Sequence, residues 1–168
     1  MKNTAYILIF LIGSLAFSAC GDEPANETAS EQSEKAGHVN VPFREDGSLT
    51  MSRDGEIFHE LIIEIAESDS ARTRGLMQRD RLPTDAGMLF LFSDETQQGF
   101  WMANTRIALD LIFILSDGTV LSISKYVQPM RTETISSLGE AQYVLEVEAG
   151  VTDSIGLIEG DLIQWTEN

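Results

Sequence analysis

Leu111-Ile112-Phe113-Ile114-Leu115, Ser116-Asp117-Gly118-Thr119 and Val120-Leu121-Ser122-Ile123-Ser124 follow one another without interruption. Two short apolar runs joined through an Asp-Gly pair predict a β-hairpin, because tight hairpin turns need the positive φ that Asp-Gly supplies cheaply. The pattern recurs upstream, where Leu49-Thr50-Met51 and the run from Glu56 to Ala66 flank Ser52-Arg53-Asp54-Gly55. In the second of these strands Ile57, His59, Leu61, Ile63 and Ile65 share one face and Glu60 and Glu64 the other. His59 then reads as a partly buried histidine near a strand end rather than as a catalytic base.

Further strands are expected on either side. Met88-Leu89-Phe90-Leu91-Phe92 is a continuous apolar run, short enough for a strand buried on both faces. Gly99-Phe100-Trp101-Met102 is another apolar piece. Tyr143 to Val147 alternates, placing Glu146 and Glu148 opposite Tyr143, Leu145 and Val147, and a solvated role is the simpler reading of Glu146. Gly156 to Gly160 is a turn region before a last strand, Asp161 to Thr166. One short helix is expected over about Ala71 to Gln78, capped from Ser68-Asp69-Ser70, with Leu82-Pro83-Thr84-Asp85-Ala86-Gly87 breaking the pattern after it. Strands and helices do not alternate. The fold class that follows is mainly β: a compact antiparallel sandwich or barrel of about seven strands with one short helix.

Composition bounds the chemistry. The chain has 168 residues, 43% of them hydrophobic, enough for one domain with a real core. Its single cysteine excludes an internal disulfide framework and a cysteine-rich zinc site. Two histidines, His38 and His59, leave little material for a histidine metal centre, and no metal or cofactor is expected. With 11 Lys and Arg against 27 Asp and Glu the net charge is -16, which argues against nucleic acid as a partner because phosphate binding needs a basic surface.

The N-terminus reads as an address. Lys2 is followed by an apolar run from Ala5 to Phe17, too short to span a bilayer comfortably and of the length of a signal-peptide core. Phe17-Ser18-Ala19-Cys20-Gly21 resembles a bacterial lipobox, with Phe17 where leucine is usual. Residues 1–19 are therefore expected to be a lipoprotein signal peptide and Cys20 a lipidated anchor to a membrane of the cell envelope, facing the periplasm or the outside. Cys20 would have no catalytic role. Residues 20–46 read as an acidic, disordered linker, since Asp22-Glu23-Pro24-Ala25-Asn26-Glu27-Thr28 and Glu31-Gln32-Ser33-Glu34-Lys35 have almost nothing to bury. Residues 47–168 form the expected folded domain, taken as a monomer.

Five segments in order carry a resemblance: Arg74-Gly75-Leu76-Met77, Gly87-Met88-Leu89-Phe90, Phe100-Trp101-Met102-Ala103-Asn104-Thr105, Leu109-Asp110-Leu111-Ile112-Phe113 and Tyr143-Val144-Leu145-Glu146. Pro129, Ala149-Gly150 and Gly160-Asp161 continue it. Residues 56 to 166 resemble the DUF192 family, found in bacteria and archaea with plastid relatives. The resemblance implies a predominantly β domain and leaves activity open, the family having no established one.

Arg74, Trp101, Asn104, Thr105 and Asp110 are the candidate site. Trp101 offers a flat apolar face, Asn104 and Thr105 directional hydrogen-bonding groups, Asp110 an acceptor and Arg74 a planar fork for carboxylate or phosphate. If they converge, they form a pocket for a sugar or an organic anion. The competing reading is structural: Asn104 and Thr105 close a turn and Asp110 fastens Arg74 to the sheet. Arg72, Arg74, Arg79 and Arg81 fall within ten positions, and such clusters usually pair with nearby carboxylates. Met77, Met88 and Met102 could ligate Cu(I), but their residue type and the neighbouring Trp101 favour packing. No Gly-x-Ser-x-Gly elbow, His-Glu-x-x-His helix or glycine-rich phosphate loop is present. The first expectation is a membrane-tethered binding module for a small ligand. The alternatives are an enzyme acting on envelope carbohydrate through Asp110, and a protein-interaction module presenting Trp101.

Overall fold

The computed structural model describes residues 38–168. The signal peptide, Cys20 and the first part of the linker lie outside the described residues.

Seven strands form one sheet: β1 (Gly47–Arg53), β2 (Glu56–Ala66), β3 (Ala86–Phe100), β4 (Leu109–Ile114), β5 (Val120–Val127), β6 (Ile135–Glu148) and β7 (Leu162–Glu167). Their order is β5-β4-β6-β3-β2-β1-β7. Both Asp-Gly segments make the expected hairpins, β1–β2 and β4–β5. Asp54 and Gly55 both take positive φ, 53° and 83°, as a type I′ turn requires. The second turn is wider: the Gly118 N–H meets the Leu115 carbonyl at 3.0 Å and only Gly118 is left-handed.

The sheet is mainly β as expected, with two differences. It is mixed, because β2 and β3 pair in parallel, Ile62 opposite Ala86 through Ala66 opposite Phe90. A parallel pair needs a long crossover, and residues 67–85 supply it with α1 (Asp69–Arg74) inside. There is also a second short helix, α2 (Val151–Ile155), between Gly150 and Gly156, both left-handed. The sheet curls into a half-barrel. At one end β5 touches β7 through the Thr119–Leu162 bridge, with the Val120 N–H on the Asp161 carbonyl at 2.8 Å.

Both faces of the central strands are covered. Leu49, Ile63, Leu89, Ile112, Leu145 and Ile163 fill the inside of the curl. Leu76, Met88, Phe90, Met102, Phe113 and Val144 form a second core on the other face, under α1 and the loop of residues 101–108. Leu89 belongs to the first and its neighbours Met88 and Phe90 to the second, which is why β3 begins as an unbroken apolar run.

The Ser68 hydroxyl caps α1 by accepting from the Ala71 N–H at 3.2 Å. The helix stops at Gly75, short of the expected Gln78, because Gly75 turns to φ 47° over the Phe90 ring. The folded unit also begins earlier than Gly47, at Val39. The Val41 N–H reaches the Gln78 carbonyl at 3.1 Å, the Arg44 N–H reaches Glu64 at 2.6 Å, and Phe43 packs on the second core. The end of the expected disordered linker is thus a docked strap, held mostly by backbone groups.

Candidate functional site

α1 crosses the second face of the sheet without sealing it. Between the helix, the turn after it, the end of β3 and β6 lies a cavity of about 220 Å³. Arg74 and Trp101 are exposed and form its rim. Phe90, Thr105 and Glu146 are buried and form its floor. Phe92, Phe100 and Met77 stand between. The walls are stiff, because the Phe100 ring meets Phe90 edge-on at 5.0 Å and Phe92 and Phe113 at 6.3 Å each.

Arg81 is exposed, and the other three arginines of the cluster have different fates. Arg79 is buried and makes a fork on the Glu64 carboxylate at 2.7 and 2.8 Å. Arg72 stacks over Phe92 at 5.2 Å, donates to the Leu91 carbonyl at 2.8 Å and pairs with Asp69. Arg74, in the last turn of α1, is different. No hydrogen bond or ion pair among the described residues holds its guanidinium at the cavity rim.

Glu146 is the residue that sequence reasoning missed. It is only 4% exposed and lines the cavity floor from β6, set opposite Met88 of β3 and Leu111 of β4. Alternation put it opposite Leu145 correctly. The inference that it is solvated is overturned, because α1 and the loop of residues 101–108 cover that face. Burial pushes its carboxyl from 4.5 up to about 8. No hydrogen-bond partner among the described residues offsets that burial. Glu64, two strands away in the same row across Met88, is the opposite case: it is fully buried, with Arg79 and the Arg44 N–H on its oxygens. Glu148 accepts from the Leu82 N–H at 3.0 Å.

Of the five residues expected to converge, Arg74, Trp101 and Thr105 meet at the cavity. The Thr105 backbone closes a turn by donating to the Met102 carbonyl at 3.1 Å and ties it to the distant Met130 by accepting from its N–H at 3.0 Å, and its hydroxyl has no partner among the described residues. Asn104 lies beside the cavity, in a shallow depression shared with Arg74, Thr73 and Gln78. Its backbone is left-handed, φ 58°, and its carbonyl accepts from the Gln78 N–H at 2.9 Å, so turn formation explains it.

Asp110 is elsewhere. It projects to the other face of β4, with Ile112 and Ile114, and is fully buried. Its carboxylate accepts from the N–H groups of Tyr126 at 2.8 Å, Gly150 at 2.9 Å and Thr152 at 3.2 Å, and from the Thr152 hydroxyl at 2.7 Å. Those four donors tie the end of β5 to the start of α2. Neither the cavity nor Arg74 is among its partners.

The remaining candidates are structural. Met88 and Met102 are buried in the second core, and Met77 lines the cavity wall. His59 is partly buried with Asp85 at 3.4 Å. Among the described residues no three His, Cys, Asp or Glu side chains are grouped to hold a metal ion.

The DUF192 family profile, described as "Uncharacterized ACR", matches residues 49–165. No curated protein matches the chain. A crystal structure from Sinorhizobium meliloti 1021, provisionally designated a transcription regulator, is 34% identical with a TM-score of 0.68, over 77% of this chain and 98% of that one. A protein of unknown function from Novosphingobium aromaticivorans DSM 12444 is 30% identical with a TM-score of 0.67, over 70% of this chain and 84% of that one.

Proposed function

This chain belongs to the DUF192 family, and from that footing we propose that it is a lipid-anchored envelope protein whose domain binds a small molecule, a sugar or an organic anion, in the cavity under α1. One observation carries the reading: a buried residue, Glu146, lines that cavity with no hydrogen-bond partner among the described residues, while Arg74 at its rim has no ion pair among them. Folded proteins give buried polar groups partners, and an exception asks for an explanation. A concave apolar site with a few unsatisfied polar groups is the ordinary form of a ligand pocket. Its volume, about 220 Å³, lies below the range of about 300–1,000 Å³ usual for drug-sized ligands, which favours a small molecule.

The enzyme alternative loses its support, because all four donors on Asp110 come from the protein and hold the fold. The regulator designation of the Sinorhizobium protein does not transfer, since a charge of -16 repels nucleic acid. The anchor rests on the sequence: Cys20 behind a short apolar run, where diacylglycerol on the thiol and an acylated amine would bind firmly. Among the described residues no helix is long and apolar enough to cross a membrane.

Two measurements test the reading. The mass of the mature protein should show an acylated N-terminal Cys20, and an unmodified thiol removes the anchor. A thermal-shift screen of sugars and organic anions on the full-length protein in detergent should yield a stabilising ligand, worth about 2.7 kcal/mol at 100 times its dissociation constant. Glu146→Leu should abolish that response. A response untouched by Glu146→Leu and by Arg74→Ala places the ligand elsewhere and ends the cavity assignment.

A further inference from the structure

The cavity is polar at its two ends and apolar between. At the rim stands Arg74, a cation no carboxylate of the described chain neutralises. At the floor stand Glu146 and Thr105, buried residues whose side chains have no hydrogen-bond partner among the described residues. Phe92, Phe100 and Met77 line the space between, with Trp101 beside Arg74 at the rim. A sugar can lay a C–H face on the aromatic wall, but the hydroxyls around its ring edge outnumber the polar side chains of Arg74, Thr105 and Glu146, and those left over would lose water without gaining a partner. A ligand amine would approach Arg74, whose charge no carboxylate of the described residues offsets, and be repelled.

We propose that the cavity takes a small one-ring carboxylic acid bearing a hydroxyl or carbonyl opposite its carboxylate, with the carboxylate on Arg74, the ring against Phe100 and Trp101, and the polar tip on Glu146 and Thr105. This rests on the ligand-binding function above and names the class of ligand. An arginine fork matches a carboxylate in shape and charge. The ring replaces water on the aromatic wall. A neutral carboxyl both donates and accepts, so Glu146 satisfies a hydroxyl or a carbonyl equally. Glu146 shares the cavity with Arg72 and Arg74 of α1, Thr105 of the loop and Phe90 of β3, burial alone accounts for its raised carboxyl, and Met88 separates it from the Glu64–Arg79 pair.

The test uses 4-hydroxybenzoate, benzoate, 4-hydroxybenzyl alcohol and glucose on the full-length protein in detergent, followed by calorimetry and tryptophan fluorescence. 4-Hydroxybenzoate is expected to saturate the site. Benzoate, lacking the tip, and 4-hydroxybenzyl alcohol, lacking the carboxylate, should each bind about tenfold or more weakly. Arg74→Ala should erase the preference for the acid over the alcohol and spare the preference for the hydroxyl. Glu146→Leu should do the reverse. The ligand-side deletions give the same information on the unaltered protein, so a misfolded variant leaves the test intact. Glucose saturating the cavity while 4-hydroxybenzoate is silent overturns the ligand class and keeps the binding function. Silence of all four probes overturns the ligand class, and silence of the wider screen as well overturns both.

Discussion

Two buried carboxyls on this sheet are solved in opposite ways. Asp110 has four donors on its oxygens, whereas Glu146 has none among the described residues. Substitution by the amide should separate them. Asp110→Asn replaces one acceptor oxygen by a donor facing donors, and should lower stability by about 2–4 kcal/mol at neutral pH. Glu146→Gln keeps the shape of the protonated acid and removes its titration. The folded Glu146 carboxyl sits at about 8 against 4.5 when unfolded. Below pH 4.5 both states carry the proton and the group does not alter stability. Between 4.5 and 8 the unfolded chain ionises while the folded one resists, so stability falls as pH rises, by a total on the order of 4–5 kcal/mol, and levels off above 8. Glu146→Gln should therefore match the native protein at pH 4 and exceed it at pH 8 in urea denaturation. Equal pH slopes for the two proteins would mean that Glu146 ionises freely. None of this was legible in the sequence. Alternation assigns a face, and whether that face is wet depends on α1 and the loop of residues 101–108, brought there from far along the chain.

The hairpins were legible because turn chemistry is local. Asp54-Gly55 and Asp117-Gly118 state their geometry within four residues, and the structure has both. The parallel β2–β3 pair was not legible, since nothing in either strand records which neighbour it takes. The two glycines look alike in sequence and differ in their surroundings. A Cβ at Gly55 meets nothing within 4 Å, so Gly55→Ala should cost only the left-handed backbone penalty, about 1 kcal/mol. At Gly118, φ 89°, a Cβ would lie 2.5 Å from the Ile163 carbonyl oxygen. That is where β5 meets β7 and the curl closes. Gly118→Ala should cost roughly 3 kcal/mol or more, because the contact is backbone and cannot rotate away. Denaturant midpoints of the two variants compare them directly, and similar losses would show that β7 moves aside freely. The cavity lining was legible only in part: Arg74, Trp101 and Thr105 sit in segments that resemble the family pattern and share a cavity, while Asp110, equally prominent in that pattern, serves the fold.

At the scale of the molecule the question is where the folded unit starts. Composition set the boundary near Gly47, because the acidic, polar run of residues 22–35 was carried on through Asp46 past the apolar Val39, Val41, Pro42 and Phe43. The strap is held instead by groups that composition does not register. The Arg44 N–H reaches Glu64, the Asp46 N–H reaches the Ile63 carbonyl, and the Asp46 carboxylate accepts from the Ile65 N–H at 2.9 Å. Asp46 also takes the Asn168 N–H on its carbonyl, so the strap joins β2 to the last residue of the chain. Its main energetic effect falls on Glu64. That carboxylate is fully buried, and without the strap it keeps only Arg79 as a hydrogen-bond partner. A hydrogen bond to a charged acceptor contributes about 1.5–3 kcal/mol, and leaving the buried acceptor short of one costs a similar amount. Ordering eight residues offsets part of the gain. A chain beginning at Gly47 should therefore fold, since both cores lie almost wholly within it, but should be less stable than one beginning at Val39 by on the order of 2 kcal/mol. The loss should shrink when Glu64 and Arg79 are replaced together by apolar residues, because an apolar pair has no acceptor for the strap to satisfy. Equal urea midpoints for the two chains would mean that the strap lies against the sheet without supporting it, and that the Glu64–Arg79 pair is complete by itself.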